Sequence, residues 1–570
     1  MTLRQSPSLQ ETGVNILSVV IAHFSGRSRL DACPGALQVH AAADGGLARV
    51  RVPGGRLTAS QLRELAGAAS TYGSGVIELT SRANVQVRGL GEGTAFADRM
   101  AAAGLLPSLT HERIRNVLAS PLTGLDGGGL TDVTPLVAEL DRRLCARPGL
   151  AALPGRFMFA LDDGRGDVAG LGADATILPT GPDEAAVILA GADSGLRVPL
   201  DAAVWALLAA AEDFLAELAA QEITAWRIGE LDDGPARIAA RLRARLAGGS
   251  PPLDHNPVRA TARTRTHPRE DRPLLDHGPT QVTARTRTSL TSAEPVDPLR
   301  LRPTGLGPVG VIEQSPSTTG TSVRNDPTGP GAGADTGRRV ALGVAVPLGR
   351  LTSAQAELLA DVASLGEVRL TPWRGMVLPG LSPDEVAGTA ARLAEAGLVT
   401  DPASPWIGVT ACTGRPGCAK SLADVQADAA LAITAVRNAP TGTGAEIEVG
   451  SGSRAGSGTD PGVEDGIKTG TGSRIGPGAG AVAGSDSGAR AESAVSESGE
   501  VTPYVVDSPR TGTLPVHWAG CERRCGRPRG RVADVVATGD GYRLDLDGRS
   551  LTCADIEETA AAMTAARGEM

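Results

Sequence analysis

Four cysteines in the last third of the chain stand in two close pairs, Ala-Cys412-Thr-Gly-Arg-Pro-Gly-Cys418 and Gly-Cys521-Glu-Arg-Arg-Cys525-Gly. Each pair is short enough to share one loop, and four thiolates are what a [4Fe-4S] cluster takes from a protein. The two pairs are read as one cluster site. The stretch after Cys418, Ala-Lys-Ser421-Leu-Ala-Asp-Val-Gln-Ala-Asp, is helix-forming, which puts Cys418 at or just before a helix N-terminus. There the helix dipole favours a thiolate and an anionic cluster. Zinc sites open on spacings of about two to four residues, shorter than the gap here. A disulfide reading needs an oxidising compartment, yet the first residues carry no apolar signal-peptide core. Four unrelated core cysteines would have no reason to fall into two tight pairs.

The elements that must position these thiols are drawn from a chain of 570 residues, long enough for three or four domains. Gly 74 and Pro 39 are high while aromatics are 2%, so the core must come mainly from Ala, Val and Leu. A net charge of -9 describes an acidic chain with no global attraction to nucleic acid or to an anionic membrane. No apolar run reaches the roughly 18 to 20 residues that span a bilayer. Seven cysteines without a signal peptide fit a reducing, cytoplasmic location.

In chain order, a polar lead (1–28) precedes a first unit (29–105) whose strands, helices and turns alternate. Two strands flank Asp44-Gly-Gly, and in the second Arg49 and Arg51 alternate with Val50 and Val52, so both arginines leave one face. A helix capped by Thr58, strands at 76–80 and 85–90, and a helix from 93 to 105 complete a ferredoxin-like α+β order. Val52-Pro-Gly-Gly-Arg-Leu-Thr-Ala-Ser-Gln61 recurs as Val346-Pro-Leu-Gly-Arg-Leu-Thr-Ser-Ala-Gln355. The repeat predicts a second such unit at 339–400 and a site where two pseudo-symmetric halves meet. An α+β block is expected at 106–248, and a second, carrying the cluster cysteines, at 401–570. Residues 249–338 and 440–500 are low-complexity stretches with no apolar period, expected to be a disordered linker and a disordered insertion. Closure entropy grows slowly with loop length, so a cluster site tolerates the insertion between its half-sites.

Thr80-Ser-Arg82 with Gln86, Arg115-Asn116-Val117, Leu153-Pro-Gly-Arg156-Phe and the two cysteine pairs together resemble the sulfite and nitrite reductase family. Within it, Ala32-Cys33-Pro-Gly35 and His517-Trp-Ala-Gly-Cys-Glu-Arg-Arg-Cys525 are most similar to the precorrin-3B synthases of aerobic cobalamin biosynthesis. That resemblance implies an O2-dependent monooxygenase that hydroxylates precorrin-3A at C20 with γ-lactone formation. It also implies a [4Fe-4S] cluster, a mononuclear non-haem iron, an electron donor and NADH as formal reductant. Arg82, Arg115 and Arg156 fall on the family positions facing the tetrapyrrole, whose many carboxylates suit bidentate guanidinium forks. Arg49, Arg51, Arg88, Arg113 and Arg374 are weaker candidates. Sulfite reductases carry a further lysine where this chain has Met158, which weakens an oxyanion-reduction site. The alternatives are a sirohaem-dependent sulfite or nitrite reductase, and a non-catalytic iron-sulfur protein that binds a tetrapyrrole. A facial triad for the iron needs two histidines and a carboxylate; His40 and His517 are the candidates, with no catalytic residue assigned.

Overall fold

The computed structural model describes residues 31, 33–248, 307–315, 337–438 and 514–568. The polar lead, most of the expected linker and the whole 440–500 insertion lie outside the described residues. The first half opens with β1 (His40–Ala42), β2 (Gly45–Val50), β3 (Arg56–Thr58), α1 (Ala59–Tyr72), β4 (Val76–Leu79), β5 (Val85–Leu90) and α2 (Gly93–Ala102). Thr58 and Gln61 form a capping box at the start of α1, which satisfies two otherwise orphan N–H groups. Leu62, Leu65, Ala66 and Ala69 of α1 are buried at helical spacing against the sheet.

The chain then runs through β6 (Val117–Ala119), α3 (Thr134–Cys145), β7 (Phe159–Leu161), β8 (Ala175–Pro179), β9 (Glu184–Leu189), β10 (Ala192–Pro199), α4 (Ala203–Ala220) and α5 (Gly234–Ala247). Strands β6, β7 and β8 are parallel, and β8, β9 and β10 continue antiparallel. The β8–β10 meander is not evident from the sequence. Strands β8 and β9 are buried on both faces, which erases the alternation that would mark them, and β10 is irregular, exposed at its start and buried only near its end.

The second half repeats the plan: β11 (Gly310–Glu313), β12 (Val340–Ala345), β13 (Arg350–Thr352), α6 (Ser353–Val362), β14 (Glu367–Leu370), β15 (Gly375–Leu381) and α7 (Pro383–Glu395). Strand β11 lies inside the stretch expected to be linker, and it pairs antiparallel with β12 along its whole length. The capping box recurs at Thr352 and Gln355. The turn before it places Leu348 at φ 55, where the first copy has Gly54 at φ 64. A leucine held in the left-handed region costs about 1 kcal/mol that glycine avoids.

The last block holds β16 (Val409–Ala411), α8 (Val425–Asn438), β17 (Val516–Ala519), β18 (Ala533–Ala537), β19 (Tyr542–Leu546), β20 (Arg549–Cys553) and α9 (Ile556–Gly568). It too has three parallel strands followed by an antiparallel meander. The duplication thus extends beyond the ferredoxin-like units to the whole half. The halves also exchange a strand: β3 pairs with β14, and β13 pairs with β4. One core joins them, with Leu57, Leu62 and Ile77 packed together with Leu351, Leu359 and Val368. The fold is α+β with two pseudo-symmetric halves. Among the described residues no helix is long and apolar enough to cross a membrane.

Candidate active site

Strands β16 and β17 are parallel neighbours, Val409 opposite Val516 and Ala411 opposite Trp518. Cys412 follows the last residue of β16 and Cys521 comes two residues after β17, so both cysteine loops leave one carboxyl end of the sheet. In open α/β arrangements that end is where ligands bind. The two loops are stitched together by main-chain hydrogen bonds, Cys412 N–H to Trp518 O at 2.8 Å and Leu422 N–H to Gly520 O at 2.8 Å. The Gly520 N–H points at Cys412 Sγ, 3.2 Å away. A Cβ on Gly520 would lie 1.8 Å from Ser421 Oγ, so only glycine allows this approach. Cys418 N–H is tied back to Gly414 O at 2.8 Å, and Gly414 has φ +68.

Cys412, Cys418 and Cys521 are half-buried and Cys525 is exposed. Burial pushes the Cys412 thiol up; the Gly520 and Gly414 amides oppose this, while nearby Cys525 and Cys521 add to it. Among the described residues no three cysteines bring their sulfurs within 4.8 Å of one another. The four thiols of the two loops, one already receiving an amide N–H, are the kind of donor set a [4Fe-4S] cluster takes. Cys418 does not begin a helix: α8 starts only at Val425. Between them Leu422 bonds to the other cysteine loop and Asp424 Oδ1 accepts from Ala427 N–H, so the helix starts after that cap.

The first half reaches this site through Arg88. Its guanidinium takes both carboxylate oxygens of Asp44 at 2.9 Å and donates to Gly417 O at 2.7 Å, bracing the residue before Cys418. Arg374 spans the two loops, donating to Ala411 O at 3.4 Å and Gly526 O at 3.2 Å.

A second group of residues gathers around Cys33. Arg51 Nη2 donates to its Sγ at 3.2 Å, with Arg49 Nη1 at 3.7 Å, as their shared strand face requires. Arg82 projects from a turn in which Ala83 has φ 51, and its Nη1 contacts Arg156 O at 3.4 Å. The Arg156 guanidinium lies 4.3 Å over the Trp226 ring. Two buried amides lock these segments: Asn84 Nδ2 donates to Asn116 Oδ1 at 3.1 Å, and Asn116 Nδ2 to Gly155 O at 2.6 Å. Burial, with repulsion from Arg49 and Arg82 and against the pull of Cys33, lowers Arg51 to about 10. Burial and then Arg227 likewise lower Arg82 to about 10. Arg51 is wholly buried, and its Nη1 has no hydrogen-bond partner.

The structure does not bring Arg115 to Arg82 and Arg156. Its fork is bidentate to Asp141 at 2.7 Å, with Nη1 on Leu105 O at 3.0 Å. With Arg51 it lines a cavity of about 280 Å³. Met158 is buried in the apolar core shared by the halves. Sequence reasoning ranked Arg51 and Arg88 low because burial and partners, not residue type, distinguish them.

A search against known families finds the nitrite/sulfite reductase ferredoxin-like half domain at residues 40–95 and 333–396. The chain carries two such half domains. Among curated proteins, a ferredoxin–nitrite reductase of Synechococcus elongatus is 35% identical over 127 residues, 21% of this chain and 25% of that protein. A precorrin-3B synthase of Sinorhizobium sp is 32% identical over 136 residues, 24% of this chain and 29% of that protein. The matched stretch thus spans only about a quarter of each relative's length. The structure titled Mycobacterium tuberculosis NirA protein superposes with a TM-score of 0.54 at 18% identity, covering 90% of this chain and 79% of that one. That likeness extends the shared fold beyond the two half domains to the cysteine-bearing block.

Proposed function

We propose that this chain is a precorrin-3B synthase-like oxidoreductase that binds precorrin-3A and uses O2 to hydroxylate C20 with γ-lactone closure. Cys412, Cys418, Cys521 and Cys525 would hold a [4Fe-4S] cluster. When bound, the cluster supplies single electrons drawn from an external donor, with NADH as the formal source. The observation that carries this reading is the arginine group around Cys33. Arg49, Arg51 and Arg82 crowd together, and Arg51 keeps a buried N–H without an acceptor. Such a group calls for anionic substituents, which the acetates and propionates of a precorrin supply. Arg82 and Arg156 would take carboxylates directly. Arg115 would act from behind Arg51, with which it shares a cavity wall.

Small-oxyanion reduction is less well served. Met158 places a thioether in apolar core where the sulfite reductases carry a cation, and Arg115 is already neutralised by Asp141. The described residues do not fit a mononuclear non-haem iron. His40 is exposed, and His111 engages Ser108 and Thr110 through Nδ1 and Arg147 O through Nε2. His517 has no second histidine and carboxylate within ligand distance.

The test is an absorption and EPR spectrum of protein purified without oxygen, with iron, sulfide and tetrapyrrole assayed together. A four-iron cluster without sirohaem is expected, and incubation with precorrin-3A and isotopically labelled O2 should then place one labelled oxygen in the product. Sirohaem coupled to the cluster would move the assignment to nitrite or sulfite reduction. Replacing Cys412 or Cys521 by Ser should abolish the four-iron chromophore; its survival would overturn the ligand assignment.

A further inference from the structure

Arg156 stands in the turn before β7, and Trp226 in the irregular segment between α4 and α5. One buried carboxylate fixes both segments. Asp174, just before β8, is wholly buried and accepts from Met158 N–H at 2.9 Å through Oδ2 and from Ile228 N–H at 2.8 Å through Oδ1. Each of those amides lies two residues beyond the side chain it helps to place, Met158 after Arg156 and Ile228 after Trp226. Asp174 also forms an ion pair with Arg227 at 2.7 Å. A buried charge persists only where its lone pairs are taken up, and here the groups that take them up hold the two segments in one fixed relation.

The turn is closed as tightly from the other side. Phe157 N–H bonds to Pro154 O at 2.9 Å, and Asn116 Nδ2 bridges Gly155 O at 2.6 Å and Phe157 O at 3.1 Å. Phe157 itself is buried against Phe159 and Phe214. The backbone under Arg156 is therefore held on both flanks, while its side chain is exposed. Among the described residues no carboxylate pairs with Arg156 and no acceptor takes its guanidinium N–H groups. What directs the side chain is the Trp226 ring, whose centre is 4.3 Å from the guanidinium carbon. A cation–π contact draws on the ring quadrupole and uses no N–H, so the fork stays open to a carboxylate. Arg115 and Arg227, by contrast, are already engaged with Asp141 and Asp174. Arg82, whose Nη1 meets Arg156 O at 3.4 Å, brings a second guanidinium to the same turn.

We propose that Trp226 is a positioning residue for substrate binding: its ring, set by the Asp174 clamp, holds the Arg156 guanidinium where it takes a carboxylate of an anionic tetrapyrrole. The inference rests on the tetrapyrrole reading above. Without the ring, an exposed arginine side chain samples several rotamers and must be ordered when the ligand arrives, which weakens binding.

The experiment uses the full chain and precorrin-3A kept free of oxygen, so that the ligand binds without turnover and affinity is read from the tetrapyrrole absorption. A parent chain that does not bind precorrin-3A overturns the tetrapyrrole reading, and this inference with it. Given a binding parent, Trp226→Leu should weaken affinity about fivefold and Arg156→Gln about tenfold. The double variant should bind no more weakly than Arg156→Gln alone, because Trp226 acts only through the arginine. Trp226→Phe, which keeps an aromatic face, should recover most of the loss. Unchanged affinity in Trp226→Leu, or an equal further loss in the Arg156→Gln background, overturns the proposal and leaves the tetrapyrrole reading in place. With fluorotryptophan incorporated, the fluorine resonance missing from Trp226→Phe belongs to Trp226, and in the parent it should shift when precorrin-3A binds. A resonance that stays in place while precorrin-3A binds overturns the proposal even if Trp226→Leu fails to fold.

Discussion

Asp162, Asp163 and Asp167 bring carboxylate oxygens within 4.8 Å of one another in the loop after β7. Asp162 is satisfied by four main-chain N–H groups, from Gly164, Gly166, Val168 and Ala169, and Asp163 is held by Arg165. Asp167 has the Ser120 hydroxyl at 2.6 Å. Burial, then repulsion from Asp162 and Asp163, outweigh Arg165 and Ser120 and push Asp167 up to about 8. A carboxyl raised in the folded state binds its proton more tightly there than in the unfolded chain. Its contribution to stability is therefore complete below about pH 4 and is lost as pH rises through about 8. Asp167→Asn, which can still accept from Ser120, should be more stable than the parent at pH 8.5 by roughly 1–3 kcal/mol and nearly equal to it at pH 4.5. Thermal melts at the two pH values check this, and an equal effect at both would refute it. At this scale the cysteine spacing and the arginine motifs were legible because they are local. That Arg115 meets Asp141 and Arg51 is wholly buried depends on segments far apart in sequence, which no spacing records.

The loops after β16 and β17 work as one element because their carbonyls and amides serve each other. Gly520 is the closest point of contact, with its N–H on Cys412 Sγ and its carbonyl on Leu422. A methyl group there meets both Ser421 Oγ at 1.8 Å and Ser421 Cβ at 2.8 Å, so rotating the serine does not relieve the clash. Gly520→Ala should force the loops apart, costing about 1–3 kcal/mol and reducing reconstituted iron and sulfide well below the parent. Far-UV circular dichroism should hardly change, since the strands end before the clash. Full iron loading in this variant would show that the two loops do not hold one cluster. The late start of α8 has the same origin: residues 419–424 are good helix formers, but their hydrogen bonds are drawn to the other loop and to the Asp424 cap. The capping boxes at Thr58 and Thr352 were legible in the repeat, because both partners lie within four residues. Strand β11 was not: four residues beside a Pro- and Gly-rich stretch form a strand only because β12 offers an edge.

Both halves end in a sheet with the same strand order, yet only the second places thiols on the loops after its first two strands. In the first half the corresponding loops carry Ser120 and the Asp162–Asp167 segment, closed by its own hydrogen bonds. The duplicated frame therefore offers one pair of thiol-bearing loops, not two, while the exchange of β3 and β13 ties the halves together. Leu351 on β13 is fully buried and pairs opposite Ile77 of β4, so its side chain belongs as much to the first half as to the second. Leu351→Ala should cost about 2–5 kcal/mol. If the halves form one cooperative unit, hydrogen exchange measured by mass spectrometry should accelerate in α1 and β4 as much as in α6 and β14. Acceleration confined to residues 340–395 would mean that the exchanged strands join two halves that unfold separately. The reciprocal change, Leu57→Ala on β3, should then mirror it, because Leu57 lies opposite Val368 of β14 just as Leu351 lies opposite Ile77.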